Sequence, residues 1–358
     1  MFIKKGKLSL VLVLILIMSV FLAACGSSDS PDPTVNSGDS SGDSSGEQIL
    51  IRFSHNQPTA SPEHAGAEKF KEVAESMGNG RITVELYPAG QMGSLREQVE
   101  GVQIGTIDIS MQPSAVISPF VDDIKICDLP YLWPSDREVT YEVLDGEMGK
   151  ELLGRLDQGG FHGLGYWFGG YKLLTTDGVE VHSPADLSGV KMRVMEAPIL
   201  LSQFNAWGAS PVALPYAELY NGLQQGIVDG QENPLQTIFL NNYHEVQDQI
   251  IQSYHGGMIY VMIANKGWFD GLPADIQDII VEAEYQGRVT ARETLADTEA
   301  DYIEQIRSTA GINYYELTDE EIAVFAEASR VVHEEHYSLE WQKDYIERLY
   351  VAIEDALK

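Results

Sequence analysis

The sequence predicts an α/β protein of two lobes with a ligand cleft between them and a long bridging helix, and three observations predict it. First, Glu97-Gln-Val-Glu-Gly-Val-Gln-Ile-Gly-Thr-Ile-Asp108 aligns without gaps on Glu218-Leu-Tyr-Asn-Gly-Leu-Gln-Gln-Gly-Ile-Val-Asp229, with Glu, Gly, Gln, Gly and Asp identical. Second, each copy follows a strand that ends in proline, Val84 to Pro88 and Pro211 to Pro215. Third, a glycine-interrupted aromatic strand from Gly163 to Thr176 lies between the copies, where a chain crossing between lobes needs the hinge dihedrals that glycine tolerates. Open α/β units gather ligands outside the carboxyl ends of their strands, so two units facing one another enclose a cleft.

Taken in order, Lys4, Lys5 and Lys7 precede an apolar run from Leu8 to Leu22 and then Ala23-Ala24-Cys25-Gly26. This reads as a secretory signal peptide over 1–24, its apolar run being shorter than the ~20 residues of a spanning helix. Residues 26–47 are Ser, Gly, Asp and Pro with almost no apolar side chain, and read as a flexible tether. One further cysteine, Cys127, cannot form an internal disulfide and reads as a small buried apolar residue. The formal net charge of −31 argues against a nucleic-acid partner and against a basic membrane-docking face. Any anion site on a protein this acidic would have to rely on local cations, which dominate a cleft because salt screens the outer surface over ~8 Å.

In lobe one, Ile49 to Ser54 is a strand with His55 and Asn56 at its exit, where they either meet a ligand or satisfy the turn. A helix from about Glu63 to Glu75 follows, with Ser61 as N-cap and Pro62 in its first turn. Strand Ile82–Tyr87, helix Ser94–Ile104 and strand Ile107–Met111 then deliver Gln112 and Ser114. Asp128 to Trp133 reads as core and cleft rim, and Thr140 to Leu156 as one helix.

In lobe two, Arg193 lies in an extended run on the face opposite Met192 and Val194. Two readings stand for it: a structural arginine paired with a neighbour such as Glu196, or a cleft arginine gripping a carboxylate with two parallel hydrogen bonds. A strand stopped by Pro215, a helix ended by Gly226, a short apolar strand and a polar turn closed by Pro234 follow. Gly257 to Ala264 is a strand. Ala274 to Ser308 is either one helix of ~50 Å along both lobes or two helices broken near Gly287. Thr318 to Leu357 reads as acidic amphipathic helix packing on lobe two.

Enzyme signatures fail. His333-Glu-Glu-His336 has the wrong spacing for a zinc-binding His-Glu-x-x-His, and there is no nucleophile elbow, phosphate loop or paired-cysteine site, so no catalytic residue, metal or cofactor is expected.

Met192 to Glu196, Gly208 to Tyr220 and Val228-Asp-Gly-Gln-Glu-Asn-Pro234 resemble the core of the DctP-like solute-binding proteins of TRAP transporters. Further matches lie at Tyr87–Gly93, Asp128–Trp133 and Gly267–Pro273. The resemblance runs from about residue 50 to the C-terminus. It implies a periplasmic-binding-protein-like fold, with lobe one at 48–169 and 259–299 and lobe two at 170–258 and 300–358. It also implies a receptor that hands a small organic acid (a sugar acid, hydroxy-acid or C4-dicarboxylate) to an ion-driven permease of small and large membrane subunits. Leu22-Ala-Ala-Cys25 resembles the bacterial lipobox, which implies an extracytoplasmic protein anchored to the cell membrane by lipid at Cys25. By the same resemblance Arg193 clamps a carboxylate, Asn233 hydrogen-bonds it, Tyr216 packs on the ligand and Lys172 adds positive charge, with His55, Asn56, Gln112 and Trp167 as further candidates. Many relatives carry Trp-Glu-Asn-Gly-Phe-Arg where this chain has Trp167-Phe-Gly-Gly-Tyr-Lys172, a point charge in place of a fork. A sensor lipoprotein reporting ligand to a membrane protein is the alternative function.

Overall fold

The computed structural model describes residues 48–337 and 339–358. The signal peptide, Cys25 and the tether expected over 1–47 lie outside the described residues.

Lobe one is built on β1 (Ile49–Ser54), flanked in parallel by β2 (Ile82–Tyr87) and β3 (Ile109–Pro113). The connections are α1 (Pro62–Gly78), capped by Ser61, and α2 (Leu95–Gln103), which opens with a reciprocal Ser94–Glu97 capping box. A single turn, α3 (Ser114–Ile117), follows β3. The helix expected over Thr140–Leu156 is two helices, α4 (Arg137–Asp145) and α5 (Glu147–Gly154). The break is at Gly146, whose backbone is extended, and Gly149 backs onto the Leu144 carbonyl with no space for a Cβ.

The crossing strand β4 (Phe161–Thr176) belongs to both lobes. Its first part pairs antiparallel with β9 (Gly257–Asn265), which lies against β3 on its other edge. The register shifts between Phe168 and Tyr171, where Gly170 takes φ +97°, and Lys172 to Thr176 then pair with β7 (Gly230–Pro234). Glycine at the crossing is required there by its backbone angle.

Lobe two adds β5 (Lys191–Val194), α6 (Pro198–Ala206), β6 (Ser210–Ala213), α7 (Leu219–Gln224), α8 (Leu235–Leu240) and β8 (Gln249–Gln252). The sheet order is β2-β1-β3-β9-β4-β7-β5-β6, with β8 on β4 and β10 (Asn313–Glu316) on β8. The segment expected as a polar turn is itself β7, buried throughout, while Ile227 of the expected apolar strand is exposed. Its polar side chains are tolerated because they bond within the sheet, Gln231 Nε2 donating to Thr175 Oγ1 at 3.0 Å.

The repeated motif performs one job twice. Asp108 accepts the backbone N–H of Arg52 at 2.8 Å at the β1–β3 junction, and Asp229 accepts that of Lys191 at 2.9 Å at the β5–β7 junction.

After β9 and the short α9 (Lys266–Asp270), α10 (Ala274–Ser308) runs unbroken for 35 residues. Gly287 does not interrupt it. This glycine lets α10 cross α1 closely, since a Cβ there would stand 2.7 Å from the Gly66 carbonyl. Next, α11 (Asp319–His336) packs on α6, with Trp207 Nε1 donating to Ser329 Oγ. The last helix, α12 (Glu340–Ala356), departs from the expected packing on lobe two. It lies on α4 and α5, where Tyr345 donates to the Met148 carbonyl and Arg348 pairs with Glu151 at 2.7 Å. Cys127 is buried and free, as expected. Among the described residues no helix is long and apolar enough to cross a membrane.

Candidate functional site

Arg193 sits in the middle of β5, its Cα in register with Val212 on β6 and Gln231 on β7. It is 2 % exposed, and its Nε donates to the Leu214 carbonyl at 2.9 Å. Among the described residues no carboxylate reaches it as an ion-pair partner, so the pairing with Glu196 is not made. Burial pushes its pKa down, against the opposing fields of Tyr243, Glu232, Tyr216 and Glu196. A buried guanidinium with one backbone acceptor retains most of its five donors for something else.

Ser94, Leu95 and Val116 of lobe one close over Arg193, Met195 and Tyr216 of lobe two. The space left is about 10 Å³, room for a single water, so entry of an organic molecule requires the lobes to part. Ser94 and Tyr216 also line a larger neighbouring space of about 340 Å³, bounded by Asn56 and Gly90 on one lobe and Asn241 and Tyr243 on the other.

Buried polar atoms are nearly always hydrogen-bonded, so those that are not mark where a partner is due. His55 Nδ1, Glu63 Oε2, Gln112 Oε1 and the Tyr216 hydroxyl are all buried without one. Gln112 is otherwise fixed, its Nε2 donating to Gln98 Oε1 at 3.0 Å, and Gln98 Nε2 in turn holds Asn56 Oδ1 at 2.6 Å. His55 Nε2 lies 3.1 Å from His64 Nδ1, and burial, reinforced by His64, lowers its pKa to about 3, leaving a neutral ring. Asn233 is buried beside Gln231, to whose Oε1 its amide donates. Surface hollows of similar volume around Asp177 and Ile312, and around Gln48 and Ile276, contain none of these unpartnered atoms.

The structure thus gathers Arg193, Tyr216 and Asn56 along one cleft, with Asn233 held by Gln231, the β7 partner of Arg193, and Gln112 tied to Asn56 through Gln98. It separates two other candidates from them. Strand register puts Arg193, Gln231 and Thr175 on one face and Lys172 and Glu232 on the other. There Lys172 Nζ is 3.1 Å from Glu232 Oε1, and Glu232 Oε2 is 2.7 Å from His255 Nε2, all buried. Burial alone would raise the Glu232 pKa, but Lys172 and His255 hold it at about 2. Trp167 fills the α1–α10 crossing, packing on Gly66 and Gly287 and donating to Glu284 Oε1 at 2.9 Å.

Sequence reasoning missed Glu63, Tyr243 and Gln236. An acid in a helix's first turn reads as a dipole-favoured surface residue, which hid Glu63, and Tyr243 and Gln236 carry no local pattern at all.

The sequence model of the bacterial extracellular solute-binding proteins, family 7, matches residues 53–340. The C4-dicarboxylate-binding periplasmic protein DctP of Rhodobacter capsulatus is 35 % identical over 290 residues, covering 81 % of this chain and 86 % of that one. A TRAP periplasmic solute-binding protein from Desulfovibrio salexigens, solved with bound orotic acid, superposes with a TM-score of 0.81 at 31 % identity, covering 86 % of this chain and 99 % of that one. The sugar-acid-binding protein DctPAm from Advenella mimigardefordensis, in complex with galactonate, gives a TM-score of 0.81 at 29 % identity over 87 % and 99 %. With its two lobes, its cleft and a match over most of its length, this chain belongs to family 7 of the bacterial extracellular solute-binding proteins, receptors rather than enzymes.

Proposed function

We propose that the chain is the receptor of a TRAP transporter. It binds a small organic acid between its lobes, closes by hinge motion about the β4 crossing, and delivers the acid to an ion-driven permease of small and large subunits. Arg193 clamps the ligand carboxylate, Asn233 and Tyr216 add hydrogen bonds and packing, and His55, Asn56 and Gln112 line the cleft. Cys25 carries the lipid that holds the protein outside the cell membrane. The observation that carries this reading is Arg193, a buried guanidinium in an interlobe cleft that no carboxylate among the described residues reaches. A relative named for C4-dicarboxylates, and neighbours solved with galactonate and with orotic acid, support an acid as ligand.

The test is thermal unfolding of the purified protein against dicarboxylates, uronates, aldonates, keto acids and amino acids. A ligand at ~100 times its dissociation constant adds ~2.7 kcal/mol, a shift of a few degrees at this size. The shift should appear with acids and vanish in Arg193→Ala. A shift that survives the substitution removes Arg193 from the site.

A further inference from the structure

Glu63 is an unpaired acid buried where the lobes meet. It lies in the first turn of α1, is 1 % exposed, and its Oε2 has no partner. Its Oε1 accepts from the Gln236 amide of lobe two at 3.5 Å, and the Ser61 hydroxyl and the Glu63 backbone N–H also favour the ionised form against burial. A Cβ at Gly169 would stand 2.9 Å from Oε1 and 2.5 Å from the Tyr260 ring, so the carboxyl is wedged between α1, the crossing strand and β9. Burial raises its pKa. Burial also raises the phenol of Tyr216, with Tyr243 and Glu63 adding to the rise, so Glu63 and Arg193 both lie within electrostatic reach of Tyr216.

Among the described residues, Arg193 and Glu63 thus each lie near the lobe interface without a charged partner, both within electrostatic reach of Tyr216. Lys172 offers no second cation, because Glu232 neutralises it on the other face of the sheet. A ligand carboxylate arriving near Glu63 would face another carboxyl group in a poorly solvated place with nothing to balance it. A hydroxyl or N–H arriving there would supply the donor that Oε2 lacks.

We propose that Glu63 sets ligand specificity: the receptor takes acids with a single carboxylate, held by Arg193, and with hydroxyl or N–H donors at the other end that reach Glu63. C4-dicarboxylates are discriminated against. This rests on the reading of Arg193 as the clamp. A site built to pair a buried hydrogen-bonding group rejects analogues that leave it unpaired by large factors, whereas shape alone discriminates weakly.

Calorimetric titration of the purified protein with glycerate, D-gluconate, D-galacturonate and pyroglutamate on one side, and succinate and fumarate on the other, tests it. At least one of the first group should bind ~100-fold or more tightly than either dicarboxylate. Glu63→Gln, which keeps the shape and removes the acid, should narrow that ratio by ~10-fold or more, while Arg193→Lys should weaken both groups together. Dicarboxylates binding as tightly as the first group, or a ratio unchanged in Glu63→Gln, overturns the specificity role and leaves the clamp standing. Binding indifferent to Arg193→Lys overturns the clamp instead. Silence towards every acid by a protein whose circular dichroism is folded overturns both. Should Glu63→Gln fail to fold, the wild-type ranking alone decides.

Discussion

Lys172 and Arg193, two strands apart in one sheet, project from opposite faces of it, so these two buried cations do different work. Arg193 faces the cleft without an anion. Lys172 is closed into a buried chain with Glu232 and His255, close enough to oppose the burial that raises the Asp128 carboxyl to about 6.

A first prediction concerns Lys172. Removing one member of a buried pair leaves the other charge unpaired and costs about 3–5 kcal/mol. Lys172→Met should lower stability by that amount in urea unfolding, and Lys172→Met combined with Glu232→Gln should regain at least half. A neutral single variant would show the pair to be no structural element.

Arg193 should behave in the opposite sense. The free protein keeps a desolvated guanidinium that one carbonyl satisfies poorly, and an apolar side chain of similar volume avoids the desolvation penalty of several kcal/mol that a buried ion carries. Arg193→Met should melt higher than the parent in the absence of ligand while losing ligand-induced stabilisation, a trade between stability and function. A lower melting temperature would mean that the guanidinium has partners of its own.

Glu284 provides a pH prediction. Burial raises its carboxyl to about 7, against the pull of Arg288 and Trp167. The folded state therefore holds this proton more tightly than the unfolded chain does. The resulting stability is fully present below the unfolded carboxylate pKa of ~4.3 and lost as pH rises through 7. Relative to Glu284→Gln, the parent should lose about 3 kcal/mol between pH 4.5 and 7.5. A difference that is flat with pH would place the Glu284 proton in an ordinary environment.

Two helical glycines, one at the α1–α10 crossing and one at the end of α5, predict alanine substitutions of opposite outcome. Gly287→Ala gains about 1 kcal/mol of helix propensity, but its Cβ meets the Gly66 carbonyl and the Trp167 ring at 2.7 and 3.1 Å. Overpacking of this kind costs about 1–3 kcal/mol or more, so the net effect is destabilising. Gly154→Ala, at the end of α5 with nothing within 4 Å, should be neutral or stabilising. The urea midpoints of the two variants check the contrast.

The lobes were legible because the repeated residues have local duties. Gly101 and Gly222 leave room for Ile107 and Val228 just before the next strand, Gly105 and Gly226 take positive φ, and Asp108 and Asp229 fasten neighbouring strands, so the same letters recur at the same spacing. Arg193 was legible as a charge in an apolar run. The face of Lys172 was not, because the register shift between Phe168 and Tyr171 resets the alternation that counting by twos relies on. β7 was read as a turn because a strand buried on both faces normally lacks Gln, Glu and Asn, and only side-chain partners distant in sequence make it tolerable. The docking of α12 on α4 and α5 depends on contacts nearly 200 residues apart, which periodicity cannot carry.

The position of β9 has a consequence for how the chain acquires its shape. It is made after β5 to β8 of lobe two, yet it lies between β3 and β4. The sheet of lobe one thus stays split until Asn265 is available, and its closure joins segments far apart in sequence, a slow kind of step that leaves strand edges bare meanwhile. A nascent chain halted at Ser253 would present the exposed edges of β3 and β4 to whatever chaperone or neighbour reached them first.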